Sequence, residues 1–395
     1  MNKYFFLLLL LFTTSLVISL PVWGEGVENK KSEELVPFEN TLKNLDLNVF
    51  EEYKKNIDEE INSSMKGKTV KGLLLDFTRG KLDFKIQDIM GGILQIFFKE
   101  VRANSALMAK LLILSVLTAL LVNLQNSFSQ GVAQISYMSC YLALGAIALG
   151  SFRLVLDIGH QSINNMVAFM MGMLPQMLVL TAGLGNINAS AILFPILMTT
   201  ATAFANAIKN VVFPLIIMSA ILNLLNHMSS SLKVDKLASF FGQMAKVSLG
   251  FCLTIFAGFI TLRALYASVL DKVALRTTKF FTDNAIPVVG KILSDTIEVT
   301  AGYVVMLKQA LGLVGVLIII GIIAMPLLKV AAVALIYKVT AAVVEPIGDA
   351  KTAAILDIMS AHLFLMLAAV ASVGLMFLIM ISIVAGMSNG LGALR

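Results

Sequence analysis

The residue types that most often carry out chemistry are few in this sequence, and their spacing matches no known site. The three histidines, His160, His227 and His362, are far apart, and no His-Glu-x-x-His pair that would bind catalytic zinc occurs. The two cysteines, Cys140 and Cys252, lie within apolar segments, where cysteine behaves as a small buried hydrophobic residue. We therefore predict no catalytic residue, no metal ligand and no cofactor, and we expect that the protein is not an enzyme.

Charged side chains inside apolar segments are the remaining candidates for a functional site. Lys338 lies near the middle of the apolar residues 330–344, and Glu345 and Asp357 are the carboxylates nearest to it in the sequence. Arg263 lies in another apolar segment. A lysine at the centre of a bilayer costs about 2.5–3.5 kcal/mol on insertion scales. Lys338 is therefore expected to pair with a carboxylate such as Asp357, to line a conduit, or to extend its ammonium to the membrane surface.

The elements that hold these residues must lie in a membrane, because the composition is too apolar for a water-soluble protein. Hydrophobic residues make up 58% of the 395 residues and charged residues only 14%, against roughly 25% charged in an ordinary soluble domain. Residues 158–208 contain no charged side chain before Lys209, and this run is far longer than the ~20 residues that one crossing needs. We therefore predict an all-α, polytopic helical membrane protein.

Runs of apolar residues predict seven to nine membrane segments in a helical transmembrane domain, residues 106–395. The nine candidates are residues 106–124, 132–152, 166–183, 187–208, 211–228, 247–270, 309–328, 330–344 and 359–387. The range arises from the two segments that contain Pro175 and Pro195, and from the short residues 330–344, which a re-entrant segment would also explain.

Basic residues orient these segments, since cytoplasmic loops of membrane proteins are enriched in lysine and arginine. Residues 106–395 hold 16 basic and 9 acidic residues. With nine crossings and an exported amino-terminal region, Lys233, Lys236 and Lys246 are cytoplasmic, and so is the carboxyl end at Arg395. The basic loop 271–308 then falls outside, which argues against this arrangement.

Residues 1–24 predict a secretory signal peptide. An apolar run at residues 5–20 follows Lys3, and Val22 and Gly24 are the small residues wanted three and one positions before a cleavage site at Glu25. An uncleaved first helix is the alternative.

Residues 25–105 are the only extended polar region and predict an exported, partly amphipathic helical domain. They hold 15 acidic and 13 basic residues, and their second half combines basic residues with apolar residues. Such a stretch suits a helix that lies on anionic lipid before the first crossing, and a small helical domain packed on itself explains it equally well. Binding of nucleic acid is not predicted.

Proline spacing suggests an internal duplication. The prolines proposed to break helices are Pro175, Pro214, Pro287 and Pro326. The first two are 39 residues apart, as are the last two, and the second pair follows the first by 112 residues. This displacement aligns residues 169–270 with residues 281–382 as two candidate repeats, an organisation that membrane carriers often use. Chance spacing of prolines in an apolar chain gives the same pattern.

Several segments, in order along the chain, resemble those of one family. The longest is residues 275–290, LRTTKFFTDNAIPVVG, with Arg276, Lys279, Phe281, Pro287 and Gly290 as its marked residues. Shorter ones are residues 210–215, 335–338, 345–348 and 356–360. By these segments, its length, its leader and its polar exported region, the chain resembles stage III sporulation protein AE, most clearly from residue 169 onward.

The resemblance implies a conduit role in sporulation. The family belongs to a multiprotein assembly that joins the mother cell to the engulfed forespore and includes ring-forming membrane proteins and an ATPase similar to secretion ATPases. The chain is therefore expected to be a multi-pass protein of the bacterial cytoplasmic membrane, in the mother-cell membrane around the forespore. Its implied partners are those proteins, the lipid bilayer and further copies of itself in a homo-oligomer. The resemblance carries over no catalytic residue.

An autonomous secondary transporter for a small solute is the alternative function. A carrier keeps ionisable groups and broken helices around a binding site near the middle of the membrane. A component of a channel complex depends instead on its partners for function.

Overall fold

Long helices make up the part of the chain that the computed structural model describes, residues 86–124, 130–183, 187–228, 233–285, 289–347 and 350–386. The chain divides into two units, Met1–Leu45 and Asp46–Arg395, and all of these residues belong to the second. Their regular structure is entirely helical, without a strand. The predicted all-α fold class is therefore confirmed. Gly24 and Glu25, at the predicted cleavage site, lie outside the described residues.

Eight α-helices, one π-helical turn and one 3-10 turn occur in the described ranges. The helices are α1 (Ile86–Ala103), α2 (Ser105–Leu124), α3 (Gln130–Gly183), α4 (Ile187–Ala207), α5 (Phe213–Met228), α6 (Asp235–Ala285), α7 (Val289–Val344) and α8 (Ala350–Gly386). The π-helical turn, Ile208–Val212, joins α4 to α5, and the 3-10 turn, Glu345–Ile347, follows α7. Helices suit these apolar runs because a helix satisfies its backbone hydrogen bonds within one segment, as lipid requires.

Five helical stretches are long and apolar enough to cross a membrane. They are Met138–Met177, Pro195–His227, Asp235–Phe259, Lys308–Ile347 and Ala350–Ala385. Gly91–Ala103 and Ser105–Leu121, which are bent by 49° relative to each other, provide a sixth crossing if they form one span. The predicted count of seven to nine is therefore not confirmed by the described residues.

Several of the predicted segments divide continuous helical runs at polar residues and prolines. The predicted segments that share one run are 132–152 with 166–183, 187–208 with 211–228, and 309–328 with 330–344. Helix α3 alone has 54 residues, about 80 Å at 1.5 Å per residue, whereas the hydrocarbon core of a bilayer is ~30 Å thick. Such a helix is long enough to cross once and to extend beyond the hydrocarbon core.

Helical structure continues through Pro175 and Pro326, where the proline spacing predicts helix breaks. A proline removes one backbone hydrogen bond and crowds the carbonyl four residues earlier, which bends a long helix without ending it. Pro214 is the second residue of α5, directly after the π-helical turn. That turn widens the backbone where the proline ring would otherwise meet the carbonyl of Asn210. Pro287 lies outside the described residues.

Two contacts define one end of an antiparallel bundle. Tyr141 of α3 donates a hydrogen bond to the carbonyl of His227 at the end of α5, at 3.0 Å. Lys338, near the end of α7, forms an ion pair with Asp357, near the start of α8. We call this the ion-pair end.

Close packing at a glycine defines the opposite end of the bundle. A Cβ atom on Gly312 of α7 would lie 2.6 Å from Cβ of Ala385 in α8 and 3.4 Å from Cε of Met177 in α3. We call this the glycine end. Helices α3 and α8 therefore run from the ion-pair end to the glycine end, and α4, α5 and α7 run the other way.

The antiparallel arrangement places the start of α6 and the end of α8 at opposite ends of the bundle. Helix α6 starts at the ion-pair end, because Ser219 of α5 donates to the carbonyl of Ala238 in its first turn, at 2.8 Å. Helix α8 ends at the glycine end, at Gly386. One crossing per helix places Lys236 and Gly386 on opposite sides of a membrane, whereas the predicted nine crossings place the loop around Lys236 and the chain end on the same side. Arg395 itself lies outside the described residues.

Helix α8 lies at the centre of the bundle. It contacts α3, α4, α5, α6 and α7. Its buried residues are mostly apolar, with the hydroxyl groups of Thr352, Ser360 and Ser372 among them. The polar residues of α8 are therefore placed to connect several helices at once.

Candidate functional site

The ion pair between Lys338 and Asp357 connects α7 to α8 and brings together two of the sequence-predicted candidates. Both side chains remain about half exposed, at 57% and 51%. The lysine therefore has both a carboxylate partner and access to the outer surface of the bundle. Glu345, the other nearby candidate, is exposed in the 3-10 turn after α7.

Tyr337, the neighbour of Lys338, fixes how α7 is rotated. Its side chain is fully buried, and its hydroxyl donates to Ser151 Oγ of α3 at 3.0 Å. Ser360 of α8 donates to the carbonyl of Ala334 in α7 at 2.9 Å. Successive residues of a helix point about 100° apart, so anchoring Tyr337 in the core turns Lys338 outward beside Asp357.

His362 joins three helices through one hydroxyl group. Its Nε2 lies 2.8 Å from Ser219 Oγ of α5, and that hydroxyl donates to the carbonyl of Ala238 in α6 at 2.8 Å. The other ring nitrogen, Nδ1, lies 2.8 Å from the carbonyl of Ile358, one turn earlier in α8, and donates to that oxygen. A Cβ atom on Gly242 of α6 would come within 2.9 Å of Ser219 Oγ, so glycine makes room for this contact.

A second polar contact lies at the π-helical turn between α4 and α5. Lys209 Nζ donates to Asn164 Oδ1 of α3 at 3.1 Å. Close by, the ring of His160 stacks on Phe213, with centroids 5.2 Å apart, and Phe213 lies over Gly159 of α3. π-helical turns inside α-helices are frequently found at functional sites. This one places a cation beside a polar stretch of α3 at the middle of the bundle.

For the other predicted residues, the structure describes the helix in which each one lies. Arg263 lies within α6, as do Arg276, Lys279 and Phe281 of the family-like segment, and Gly290 lies in the first turn of α7. The segment is therefore the end of one helix, a connection outside the described residues, and the start of the next.

No group of three or more histidine, cysteine, aspartate or glutamate side chains that could hold a metal ion occurs within the described ranges. Cys140 and Cys252 are free thiols. The polar contacts described above join helices in pairs and threes, which positions the helices relative to one another.

The sequence does not predict the contacts of His362 and Tyr337, because the partner of each residue lies far away along the chain. The sequence predicts that His362 is isolated, because its partner, Ser219, is 143 residues away. Tyr337 and Ser151 are separated by 186 residues. The available signal was a polar residue in an otherwise apolar helix, which predicts a partner without identifying it.

Comparison with known proteins identifies the family of this bundle. The family model described as Stage III sporulation protein AE matches residues 68–388. Stage III sporulation protein AE of Bacillus subtilis (strain 168) is 34% identical over 320 residues, which cover 81% of this chain and 80% of that protein. No solved structure matches the chain. These matches confirm the resemblance seen in residues 275–290 and the segments around it, and the chain belongs to the stage III sporulation protein AE family.

Proposed function

We propose that this protein is a membrane component of a secretion-like channel complex that links mother cell and forespore and sustains forespore development after engulfment. One observation carries the proposal: a chain of a stage III sporulation family folds into a bundle with five, or up to six, helical stretches long enough to cross a membrane. Family membership supports a role in sporulation. A membrane-spanning bundle is what a component of a conduit requires.

In this proposal the protein acts through contacts with partner proteins and not through catalysis. The partners are the ring-forming membrane proteins and the ATPase of the complex, and further copies of the chain complete a homo-oligomer. Its place is the mother-cell membrane around the forespore. In this proposal residues 1–24 direct export, residues 25–105 form an exported domain, and residues 106–395 form the membrane domain, with residues 169–270 and 281–382 as repeats.

An autonomous secondary transporter is the second candidate, and the polar groups at the middle of the bundle favour it. Lys209 and Asn164 are hydrogen-bonded near the centre of the stretches Pro195–His227 and Met138–Met177. Carriers have their substrate-binding sites near the middle of the membrane. The two candidates differ in their dependence on partners.

Deleting the gene in its spore-forming host tests the proposal. Vegetative growth is expected at the normal rate, and sporulation is expected to stop after engulfment, because the conduit is needed only then. The full gene, with an affinity tag, should restore spores and co-purify with the ring-forming proteins and the ATPase. A normal spore yield or lethality in vegetative cells would contradict the proposal. A solute-uptake defect that an unrelated carrier relieves would support the transporter.

A further inference from the structure

We propose that one outer face of the bundle, on α3 and α4, borders an aqueous path in the assembled protein and is not covered by lipid. We call this surface the polar face. Its members are side chains that are exposed or partly exposed, Arg153, Asp157 and Gln161 of α3, Thr199 and Asn206 of α4, and Lys209 of the π-helical turn. The inference rests on the proposed function, and it names the part of the chain that would form the wall of the conduit.

The α3 side of the polar face carries two opposite charges in the middle of a membrane-length helix. Arg153, Asp157 and Gln161 follow each other at intervals of four residues, so they lie on one side of the helix. All three are exposed. They lie at the middle of the stretch Met138–Met177. A charged residue there that met lipid would cost about 2.5–3.5 kcal/mol on insertion scales, which an aqueous environment avoids.

The α4 side continues the polar face toward the glycine end. The hydrogen bond between Lys209 and Asn164 joins the two helices. Because α3 and α4 are antiparallel, Arg153 lies on the ion-pair side of this bond and Thr199 lies on its glycine side. Each part covers about 15 Å at 1.5 Å per residue. Together they cover about 30 Å, comparable to the ~30 Å thickness of the hydrocarbon core.

Helix α6 shows by contrast what a lipid-covered face of this bundle contains. Between residues 247 and 262 its exposed large side chains are apolar, Val247, Phe251, Ile255 and Leu262, and the exposed polar residues Lys236, Gln243 and Lys246 lie nearer the ion-pair end. Phe204 of α4 is in edge-to-face contact with Phe256 of α6, at 5.5 Å between centroids. This contact places Asn206 of the polar face at about the level of Ile255. Two faces at one depth therefore have opposite chemistry, and we infer that they meet different surroundings.

Spin labels on the full-length protein in lipid bilayers test the inference. The labels are attached to single cysteines in a background with Cys140→Ala and Cys252→Ala. Gln161→Cys and Asn206→Cys report on the polar face, and Val247→Cys and Ile255→Cys are the matched controls on α6. Collisions with a water-soluble nickel chelate and with oxygen, which concentrates in lipid, are measured at each site. We expect nickel to relax the polar-face labels more than oxygen does, and the reverse at both α6 sites.

Three outcomes would overturn the inference. Oxygen-dominated relaxation at Gln161 and Asn206 would mean that lipid covers the polar face. Low accessibility to both reagents would mean that protein covers it. Nickel-dominated relaxation at all four sites would mean that this level lies outside the bilayer. The deletion experiment tests the proposed function separately. If the chain is needed for sporulation but lipid covers its polar face, the inference is wrong and the proposed function still holds.

Discussion

At the residue scale, the environments of Tyr337 and Lys338 show how one core contact determines a surface contact. Tyr337 is buried and hydrogen-bonded to Ser151. Lys338, the next residue, is about half exposed and forms an ion pair with Asp357. An ion pair on a water-exposed surface contributes only ~0.2–1 kcal/mol. A single charge left without its partner near lipid costs more, because neither water nor a carboxylate then compensates it.

Removing either member of the ion pair is therefore expected to harm the protein more than removing both. Lys338→Ala and Asp357→Ala should each lower the free energy of unfolding by about 1 kcal/mol or more, and the double variant should recover part of the loss. The midpoint of thermal unfolding of the extracted protein measures this. Lys351→Ala, an exposed lysine at the start of α8, is the matched control. Losses that simply add would show that the two charges are not coupled.

At the element scale, glycines decide how closely the helices approach. A Cβ atom on Gly242 would crowd Ser219 Oγ at 2.9 Å, whereas nothing lies within 4 Å of a Cβ atom on Gly250, two turns later in the same helix. The two positions share a backbone conformation and differ in their neighbours. They therefore separate the effect of packing from the effect of helix propensity.

Gly242→Ala is expected to displace the Ser219 hydroxyl from His362 and Ala238. Each lost hydrogen bond costs about 0.5–1.5 kcal/mol, which outweighs the roughly 0.5–1 kcal/mol that alanine contributes over glycine in a helix. Gly250→Ala should gain that helix propensity without a clash. Thermal unfolding of both variants in the same detergent decides between these expectations. Equal stability of the two variants would mean that the three-helix contact contributes little.

At the scale of the whole molecule, the antiparallel bundle predicts which positions share a side of the membrane. Cysteines at Lys236 and Lys351, near the ion-pair end, are expected to react with an impermeant maleimide from the cytoplasmic side, because cytoplasmic loops are enriched in basic residues. A cysteine at Ser388, just beyond α8, is expected to react from the other side. Intact cells and inverted vesicles, each with Cys140 and Cys252 removed, provide the comparison.

Labelling of Lys236→Cys and Lys351→Cys from opposite sides would contradict the bundle itself. Labelling of both from outside would keep the bundle and reverse its orientation in the membrane. Basic residues also lie toward the end of α6, among them Arg276 and Lys279. The second outcome would mean that these residues, and not those near the ion-pair end, are on the cytoplasmic side.

The sequence by itself determined the membrane class, the helical fold and the family. These properties depend on local composition and on contiguous segments, such as residues 275–290, and neither requires knowledge of what lies beside a helix. The predicted count of seven to nine crossings depends on the same local information. Local hydropathy falls at Arg153, Asp157 and the prolines, yet the helices continue because one missing backbone bond does not end a 54-residue helix.

Only the tertiary structure decided which polar residues meet. Lys338 had two nearby carboxylates in the sequence, and the rotation imposed by the buried Tyr337 selects Asp357 over Glu345. His362 and Ser219 meet across 143 residues because α5 and α8 are antiparallel neighbours. Likewise, the contrast between the polar face and the apolar face of α6 arises from burial, which depends on how each helix is rotated in the bundle and not on its composition.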